Sequence, residues 1–217
     1  MPLEMANMYR LIIWRAFVQK IWIKIMSSML NPFWPIQSHN LIARCTNETL
    51  LVQDSLALFD NYCSREEESK FLARLPHSDK ARTYAFVQSW AVAESWQENQ
   101  RLALIIEHAL TQQPIGLLVL FDKSLLDQPS KVECHFGISQ DFSNQGLVSE
   151  LLIALIKKLV QATGYQSLVS YCDRQHLVSQ KVLLNCGFKQ TELLPAHYFN
   201  PNQQAYIDCY GYCCHLK

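Results

Sequence analysis

The segment from residue 131 to residue 188 constrains the fold more than any other part of the chain. It predicts a strand over 132–139, a turn that contains Gly146, a long helix over 147–163, and then a second strand and a short helix over 167–185. The first N–H groups of a helix have no partner within the helix, and the helix dipole favours negative charge at that end. A strand followed by a glycine-containing turn and a helix start is therefore a suitable binding site for a phosphate group. The second strand–helix unit indicates one mononucleotide-like ligand held by a small α/β core.

The bulk composition is that of a folded protein with no global attraction to nucleic acid. The chain has 217 residues, of which 49% are hydrophobic and 18% are charged, enough to bury a substantial core. This length favours one domain with an appendage. The formal net charge is zero, so a polyanion would need a local basic patch, and we expect no nucleic-acid partner.

The eight cysteines are expected to be free thiols. No CxxC pair occurs, and Cys45, Cys134 and Cys172 lie in apolar, strand-like runs where a thiol is a small core residue. The residues nearest to a metal-ligand set are Cys209, Cys213, Cys214 and His215. Adjacent residues of a strand face opposite sides, so this set is a poor zinc site. A metal-binding module stays as an alternative, which the metal content of the purified protein would decide. Free thiols suit a reducing compartment, and we predict a cytoplasmic protein without a metal.

Residues 1–30 predict a helix that is both apolar and basic. Lysine or arginine interrupts the apolar residues every four to five positions, which leaves no run of about 20 apolar residues to span a membrane. No small-residue cleavage site marks a signal peptide. Three interpretations stay open: the helix lies on an anionic membrane surface, it packs on this domain or on a partner chain through residues 8–30, or translation begins near Met29.

The remainder of the chain predicts a layered domain. Two prolines indicate a linker over 31–37, followed by the main domain over 38–217. Further strands are predicted at 41–45, 101–109, 115–121, 189–197 and 205–213, and helices at 49–62 and from an N-cap at Ser78 or Asp79 to Trp96. The charge run at 64–68 is expected to be solvated. The fold class is therefore α/β, with a mixed, mostly antiparallel central sheet flanked by helices and preceded by the N-terminal apolar, basic helix.

Three runs of residues carry a resemblance to a known family. The run 132–140 keeps Glu133, Ile138 and Ser139; the run 143–150 keeps Gly146, Ser149 and Glu150; and the run 176–188 keeps Ser179, Gly187 and Phe188. In these positions the chain resembles the Gcn5-related N-acetyltransferases (GNAT), and within them the RimJ/RimL branch, which acetylates N-termini of ribosomal proteins and includes many small-molecule enzymes. The element order over 38–214 is similar to that family's acyl-CoA N-acyltransferase fold.

The resemblance implies acetyl-CoA as the cosubstrate, with its pyrophosphate on the turn before the long helix. The residues implied at the pyrophosphate are Ser143, Asn144, Gln145, Gly146, Leu147, Val148 and Ser149. Ile138 and Ser139 are implied to border the pantetheine arm, where a backbone N–H would also stabilise the oxyanion. His176 and Ser179, at the start of the second helix, complete the implied cofactor site.

The same resemblance implies the catalytic groups. Glu133 is the implied general base, because the attacking ammonium must lose a proton; the alternative is a carboxylate that faces solvent or pairs with a lysine. His135 lies on the same face of the strand and could assist or replace it. Ser179 is the candidate proton donor to the departing thiolate, with a helix cap as its alternative. These roles predict an N-acetyltransferase that moves an acetyl group from acetyl-CoA to a primary amine by direct attack.

The acceptor amine would be a protein N-terminus or a small molecule, and the enzyme a monomer or a homodimer. Four residues depart from the family pattern: Ser143, Asn144, Val148 and His176. The branched side chain of Val148 narrows the space at the pyrophosphate. These departures leave a second hypothesis, a catalytically inactive module of the same fold that binds a partner or a membrane.

Overall fold

The structure is a computed structural model that describes residues 33–124, 130–162 and 164–217. These residues belong to one unit, Phe33–Lys217. The predictions for residues 1–30 lie outside the described residues, and the domain boundaries therefore stay predictions. No helix within the described ranges is long and apolar enough to cross a membrane.

The described part of the chain forms eight strands and six α-helices. The strands are β1 (Ile36–Gln37), β2 (Leu41–Arg44), β3 (Arg101–His108), β4 (Pro114–Asp122), β5 (Lys131–Ile138), β6 (Ser167–Asp173), β7 (Lys189–Asn200) and β8 (Ala205–His215). The helices are α1 (Leu51–Leu58), α2 (Glu66–Ser69), α3 (Lys80–Trp90), α4 (Glu94–Asn99), α5 (Leu147–Ala162) and α6 (Leu177–Asn185). A π-helical turn (Phe59–Cys63) continues α1, and a 3₁₀ turn (Gln140–Phe142) follows β5.

The strands form one sheet in the order β1-β2-β3-β4-β5-β6-β8-β7. Neighbouring strands pair antiparallel except β5 and β6, which are parallel. The sheet is therefore mixed and mostly antiparallel, and the predicted α/β fold class is confirmed.

A hydrophobic cluster covers each face of the sheet, because successive side chains of a strand point to opposite sides. Leu118 of β4 belongs to the cluster that holds Leu151 and other apolar residues of α5. Leu117, its neighbour in sequence, belongs to the opposite cluster with Leu58 of α1. The helices thus lie in two layers with the sheet between them.

The parallel pair β5–β6 is short, and this opens the sheet. Its ladder joins Lys131 to Ser167 and ends where Glu133 faces Val169. Just beyond, the Ser170 hydroxyl donates to the carbonyl of Cys134 at 2.8 Å. The second half of β5 has no ladder partner on its β6 side, and a gap forms between the two strands.

The long helix predicted up to Trp96 is two helices. Asp79 is its N-cap as predicted, accepting the N–H of Arg82 at 2.8 Å, but α3 stops at Trp90. The carbonyl of the next residue, Ala91, accepts a hydrogen bond from Thr46 at 2.7 Å instead of continuing the helix. The chain then turns into α4, whose Trp96 packs edge-on against Phe33 with ring centroids 5.5 Å apart.

The charge run at 64–68 is only partly solvated, contrary to expectation. The side chain of Glu68 is 2% exposed, and its Oε1 accepts the N–H of Gln140 at 3.0 Å. Arg65 donates to Asp141 at 2.9 Å in the same cluster. These contacts tie α2 to the turn that follows β5, so this run has a structural role beside the gap.

One buried ion cluster offers a direct test of the packing of β2, β3 and α1. Arg44 donates two hydrogen bonds of 2.9 Å to Asp54 and one of 2.6 Å to Glu107, and both carboxylates are nearly buried. We predict that Arg44→Met lowers the free energy of unfolding by about 3–5 kcal/mol, because it leaves two buried carboxylates unpaired. Urea unfolding measures this change. Arg82→Met, at an exposed site, is the control, and an equal loss in both variants would contradict the prediction.

Candidate active site

A cleft of about 600 Å³ lies at the gap in the sheet. The end of β5, the turn before α5, the first turn of α5 and one side of α6 line one part of it. The rest is lined by Tyr62, Glu67, Glu68, Lys70, Phe71 and Leu72. The predicted cofactor residues on its wall are Ile138, Ser143, Asn144, Gln145, Gly146, Leu147, Val148, Ser149, His176 and Ser179. Thus all but one of the predicted cofactor residues meet in a single cleft.

The turn before α5 presents backbone N–H groups to this cleft. Gly146 has φ +76°, a conformation that side chains disfavour, and a Cβ placed there would meet no atom within 4 Å. Its carbonyl accepts the N–H of Glu150 at 3.2 Å, the first bond of the helix. The N–H groups of Leu147, Val148 and Ser149 precede that bond and have no partner within the helix. This arrangement suits a phosphate group.

The side chain of Val148, which differs from the family pattern, is partly buried against the core cluster of α5. It borders the cleft together with its neighbours.

Ser139 is the predicted cofactor residue that does not line the cleft. Its N–H donates to the carbonyl of Ile115 on the β4 side at 2.7 Å, and its hydroxyl accepts from Arg65 at 3.2 Å. Backbone groups alternate sides along a strand, so the N–H of Ile138 points towards the gap instead. Ile138 therefore offers the strand-edge donor, and Ser139 ties the end of β5 to its neighbours.

A second cavity of about 320 Å³ adjoins the cleft. Aromatic side chains make up much of its wall: Tyr62, Phe71, Phe86, Phe121, Phe136, Tyr171 and Tyr198. Seven residues line both spaces: Tyr62, Phe71, Leu72, Phe136, Gly137, His176 and Ser179. These seven residues form the junction, where a group held in the cleft would meet a molecule held in the cavity.

Glu133 and His135 are hydrogen-bonded to each other on one face of β5, as their spacing predicts. His135 Nε2 lies 3.0 Å from Glu133 Oε1, and Lys123 Nζ lies 3.6 Å from Glu133 Oε2. Burial alone would raise the pKa of Glu133, but the hydrogen bond from His135 and the nearby Lys123 bring it below the usual value. His135 lines the cavity and Glu133 does not. An ionised Glu133 thus stands behind the imidazole that faces the cavity.

His176 and Ser179 hold the α6 side of the junction. The His176 ring stacks on Phe71 at a centroid distance of 4.2 Å, and burial lowers its pKa although Asp173 opposes this, which favours the neutral ring. Burial raises the pKa of Cys172 to about 11, while its hydrogen bond with Ser179 acts in the opposite direction. The Ser179 hydroxyl therefore lies at the junction beside a protonated thiol.

Residues 69–74, here called the crossing segment, pass between the cleft and the cavity and were not predicted. The β7–β8 hairpin holds this segment by its carbonyls. The Nδ2 group of Asn202 lies 2.8 Å from the carbonyls of Ser69 and Arg74, and Tyr198 donates to the carbonyl of Phe71 at 2.8 Å. No sequence motif marks these contacts, because they join parts of the chain more than 120 residues apart.

In the described residues, no group of three or more His, Cys, Asp or Glu side chains could hold a metal ion. Cys213 and Cys214 are adjacent on β8 and belong to opposite faces of the strand.

The fold and the cleft define an acyl-CoA N-acyltransferase type of α/β protein, and comparison with known proteins agrees. Residues 49–189, more than half of the chain, match the acetyltransferase (GNAT) domain family. No curated protein matches the chain. The chain belongs to the GNAT acetyltransferase family, as predicted, and its enzyme class is N-acetyltransferase.

Solved structures share the fold at low sequence identity. A GNAT-family acetyltransferase from Bacillus anthracis superposes with a TM-score of 0.68 at 16% identity, covering 83% of this chain and 97% of that one. The microcin C7 self-immunity acetyltransferase MccE, in complex with acetyl-CoA and AMP, gives 0.69 at 16% identity, with 86% and 98% covered. RimL, the ribosomal L7/L12 alpha-N-protein acetyltransferase, in complex with coenzyme A, gives 0.66 at 16% identity, with 84% and 97% covered. RimL-type proteins thus share this fold, in line with the predicted branch.

The packing of Tyr62 at the junction can be tested at a glycine. A Cβ added to Gly137 would overlap the hydroxyl of Tyr62, which is buried in the α1 cluster. We predict that Gly137→Ala lowers the free energy of unfolding by about 1–3 kcal/mol, because the added methyl group forces the Tyr62 ring out of its packed position in that cluster. Chemical denaturation measures the loss. Gly164→Ala, where a Cβ would meet no atom within 4 Å, is the matched control, and equal stability of the two variants would contradict this packing.

Proposed function

We propose that this protein transfers the acetyl group of acetyl-CoA to a primary amine, a protein N-terminus or a small molecule, by direct attack. The observation that carries the proposal is the junction: a cleft with helix-start N–H groups at one end meets an aromatic cavity at the other. MccE and RimL, which have this fold, are in complex with acetyl-CoA and with coenzyme A. The cofactor would occupy the cleft and the acceptor the cavity.

In this arrangement the pyrophosphate lies on the N–H groups of Leu147–Ser149, with Gly146 allowing close approach. The pantetheine arm lies along β5 in the gap, where it takes the place of a neighbouring strand. The thioester carbonyl then reaches the junction, where the N–H of Ile138 could stabilise the oxyanion. These backbone groups would hold the acetyl group without a metal or a covalent enzyme intermediate.

Proton transfer is assigned to His135 in the cavity and to Ser179 at the junction. With Nε2 of His135 donating to Glu133, Nδ1 is the acceptor nitrogen of the neutral ring and takes the proton of the amine, while Glu133 stabilises the imidazolium. The amine nitrogen then forms a bond to the acetyl carbon, and the bond from that carbon to sulfur breaks. Ser179 is the candidate donor to the coenzyme A thiolate, and its hydroxyl takes back the second proton, which the attacking nitrogen loses on becoming an amide, so that the thiol forms and no alkoxide is left.

Cofactor binding is the first prediction of the proposal. Acetyl-CoA at about 100 times its dissociation constant should raise the free energy of unfolding by about 2.7 kcal/mol, because it binds only the folded protein. Gly146→Trp should remove the effect by filling the cleft. Gly187→Trp is a matched control, because Gly187 also has a positive φ and an open Cβ direction but lies outside the cleft.

The outcomes separate the two hypotheses. No shift in the wild-type protein, or an equal shift in the Gly146→Trp variant, would contradict cofactor binding in this cleft. If acetyl-CoA stabilises the wild-type protein as predicted but no amine is acetylated, the hypothesis of a catalytically inactive module would be favoured.

The role of His135 predicts a pH-dependent defect. His135→Gln should lower kcat about 10²–10⁴-fold near pH 7, the range for loss of a general base. The defect should shrink as pH rises towards the pKa of the amine, because a larger fraction of the amine is then already neutral. A pH profile of coenzyme A release measures this, with the exposed His39→Gln as control. If the fold-decrease in kcat were the same at every pH, the role of His135 would be structural packing and not proton transfer.

A further inference from the structure

The charged groups of the aromatic cavity indicate what kind of amine it accepts. Arg74 and Asp173 both line the cavity, and so do two histidines, His135 with Glu133 behind it and His176, whose pKa is lowered by burial. The Asp173 carboxylate is 3% exposed and already accepts the N–H of Gln175 at 2.7 Å. The cavity therefore presents one anion that is partly satisfied and one cation.

Arg74 is held in place by neutral groups. Its Nη1 lies 3.2 Å from the carbonyl of Cys63, the hydroxyl of Ser69 and the carbonyl of Leu75. Its own carbonyl accepts from Asn202 at 2.8 Å, so the crossing segment fixes the backbone as well. The orientation of the guanidinium thus depends on no negatively charged partner.

The charge of Arg74 is uncompensated within the described residues. No carboxylate there lies within ion-pair distance of it, whereas Arg44, Arg65 and Arg174 each have at least one. Its Nη2 is buried without a hydrogen-bond partner in the described part of the chain, and its guanidinium carbon lies 5.8 Å from the Tyr62 ring centroid. A cation held against an aromatic wall attracts anions more strongly than one in water, because the surroundings screen it less.

The same charge acts against polycationic acceptors. A second ammonium in the cavity would be repelled by Arg74, whereas a carboxylate would be attracted to its positive charge. The cavity volume of about 320 Å³ is at the lower end for small-molecule sites, about 300–1,000 Å³. A compact molecule with an apolar body fits these walls.

We propose that the acceptor is a small amino-carboxylate with an apolar side group, whose carboxylate is recognised by Arg74. This inference rests on the proposed function, because it assumes that the amine enters the cavity. The ammonium then lies on the side of Asp173 and His135, and the carboxylate on the side of the crossing segment.

The test compares two acceptors that differ only in the carboxylate, phenylalanine and 2-phenylethylamine. Wild-type kcat/KM should favour phenylalanine by at least about tenfold, as expected for one hydrogen bond to a charged group. Arg74→Met should bring the ratio close to one while 2-phenylethylamine is still used, and Arg74→Lys should restore part of the preference. Arg82→Met removes a charge at an exposed site and should leave the ratio unchanged.

A binding measurement separates this inference from the proposed function. Calorimetry of both amines with the protein saturated in coenzyme A reports acceptor preference without turnover. Equal binding of the two amines, or an unchanged ratio in Arg74→Met, would overturn the role of Arg74 even if acetylation occurs. Tighter binding of phenylalanine without acetylation of any amine would instead count against the proposed function alone. The stabilisation of each variant by acetyl-CoA checks that it is folded.

Discussion

β5 and β6 are hydrogen-bonded side by side over three residue pairs and then separate, and the site depends on that separation. Strands in a sheet normally satisfy their N–H and C=O groups on both sides, so an unpaired strand edge in the interior needs a substitute partner. Here the Ser170 hydroxyl caps the carbonyl of Cys134 at the point of divergence. The rest of β5 borders a cleft instead of a strand. An extended ligand arm can fill the position that a ninth strand would take.

The two ends of the cleft rely on different physics. At the α5 end, the proposed recognition of the pyrophosphate relies on backbone N–H groups and the helix dipole, so the unusual side chains at Asn144 and Val148 need not prevent it. At the junction, recognition depends on side chains that distant parts of the chain position. The β7–β8 hairpin holds the crossing segment through Asn202 and Tyr198, and that segment carries Phe71 and Arg74. The proposed acceptor side therefore depends on loop side chains, while the proposed cofactor side depends on backbone groups that the fold positions.

Much of the fold could be predicted from local patterns. Short apolar runs identified the strands, Asp79 marked a helix start, and Gly146 marked the turn before α5, because each of these signals is read within a few residues. The break after Trp90 could not be predicted, since it involves a hydrogen bond from Thr46, which follows β2 and is distant in sequence. The burial of Glu68 could not be predicted either, because the N–H group that it accepts belongs to Gln140, 72 residues further along the chain. Tyr62, Phe71 and Arg74 carry no motif, and only the folded chain brings the first two to the junction and Arg74 to the cavity.

The central claim, that the gap beside β5 and the first turn of α5 form one cofactor site, can be tested amide by amide. Hydrogen–deuterium exchange followed by NMR, with and without acetyl-CoA, measures which N–H groups the ligand covers. We predict new protection at Ile138 and at Leu147–Ser149, and no change at Ser139, whose N–H is already bonded to Ile115. Protection confined to other parts of the chain, or at α5 without Ile138, would contradict the claim that the ligand arm lies along the open edge of β5.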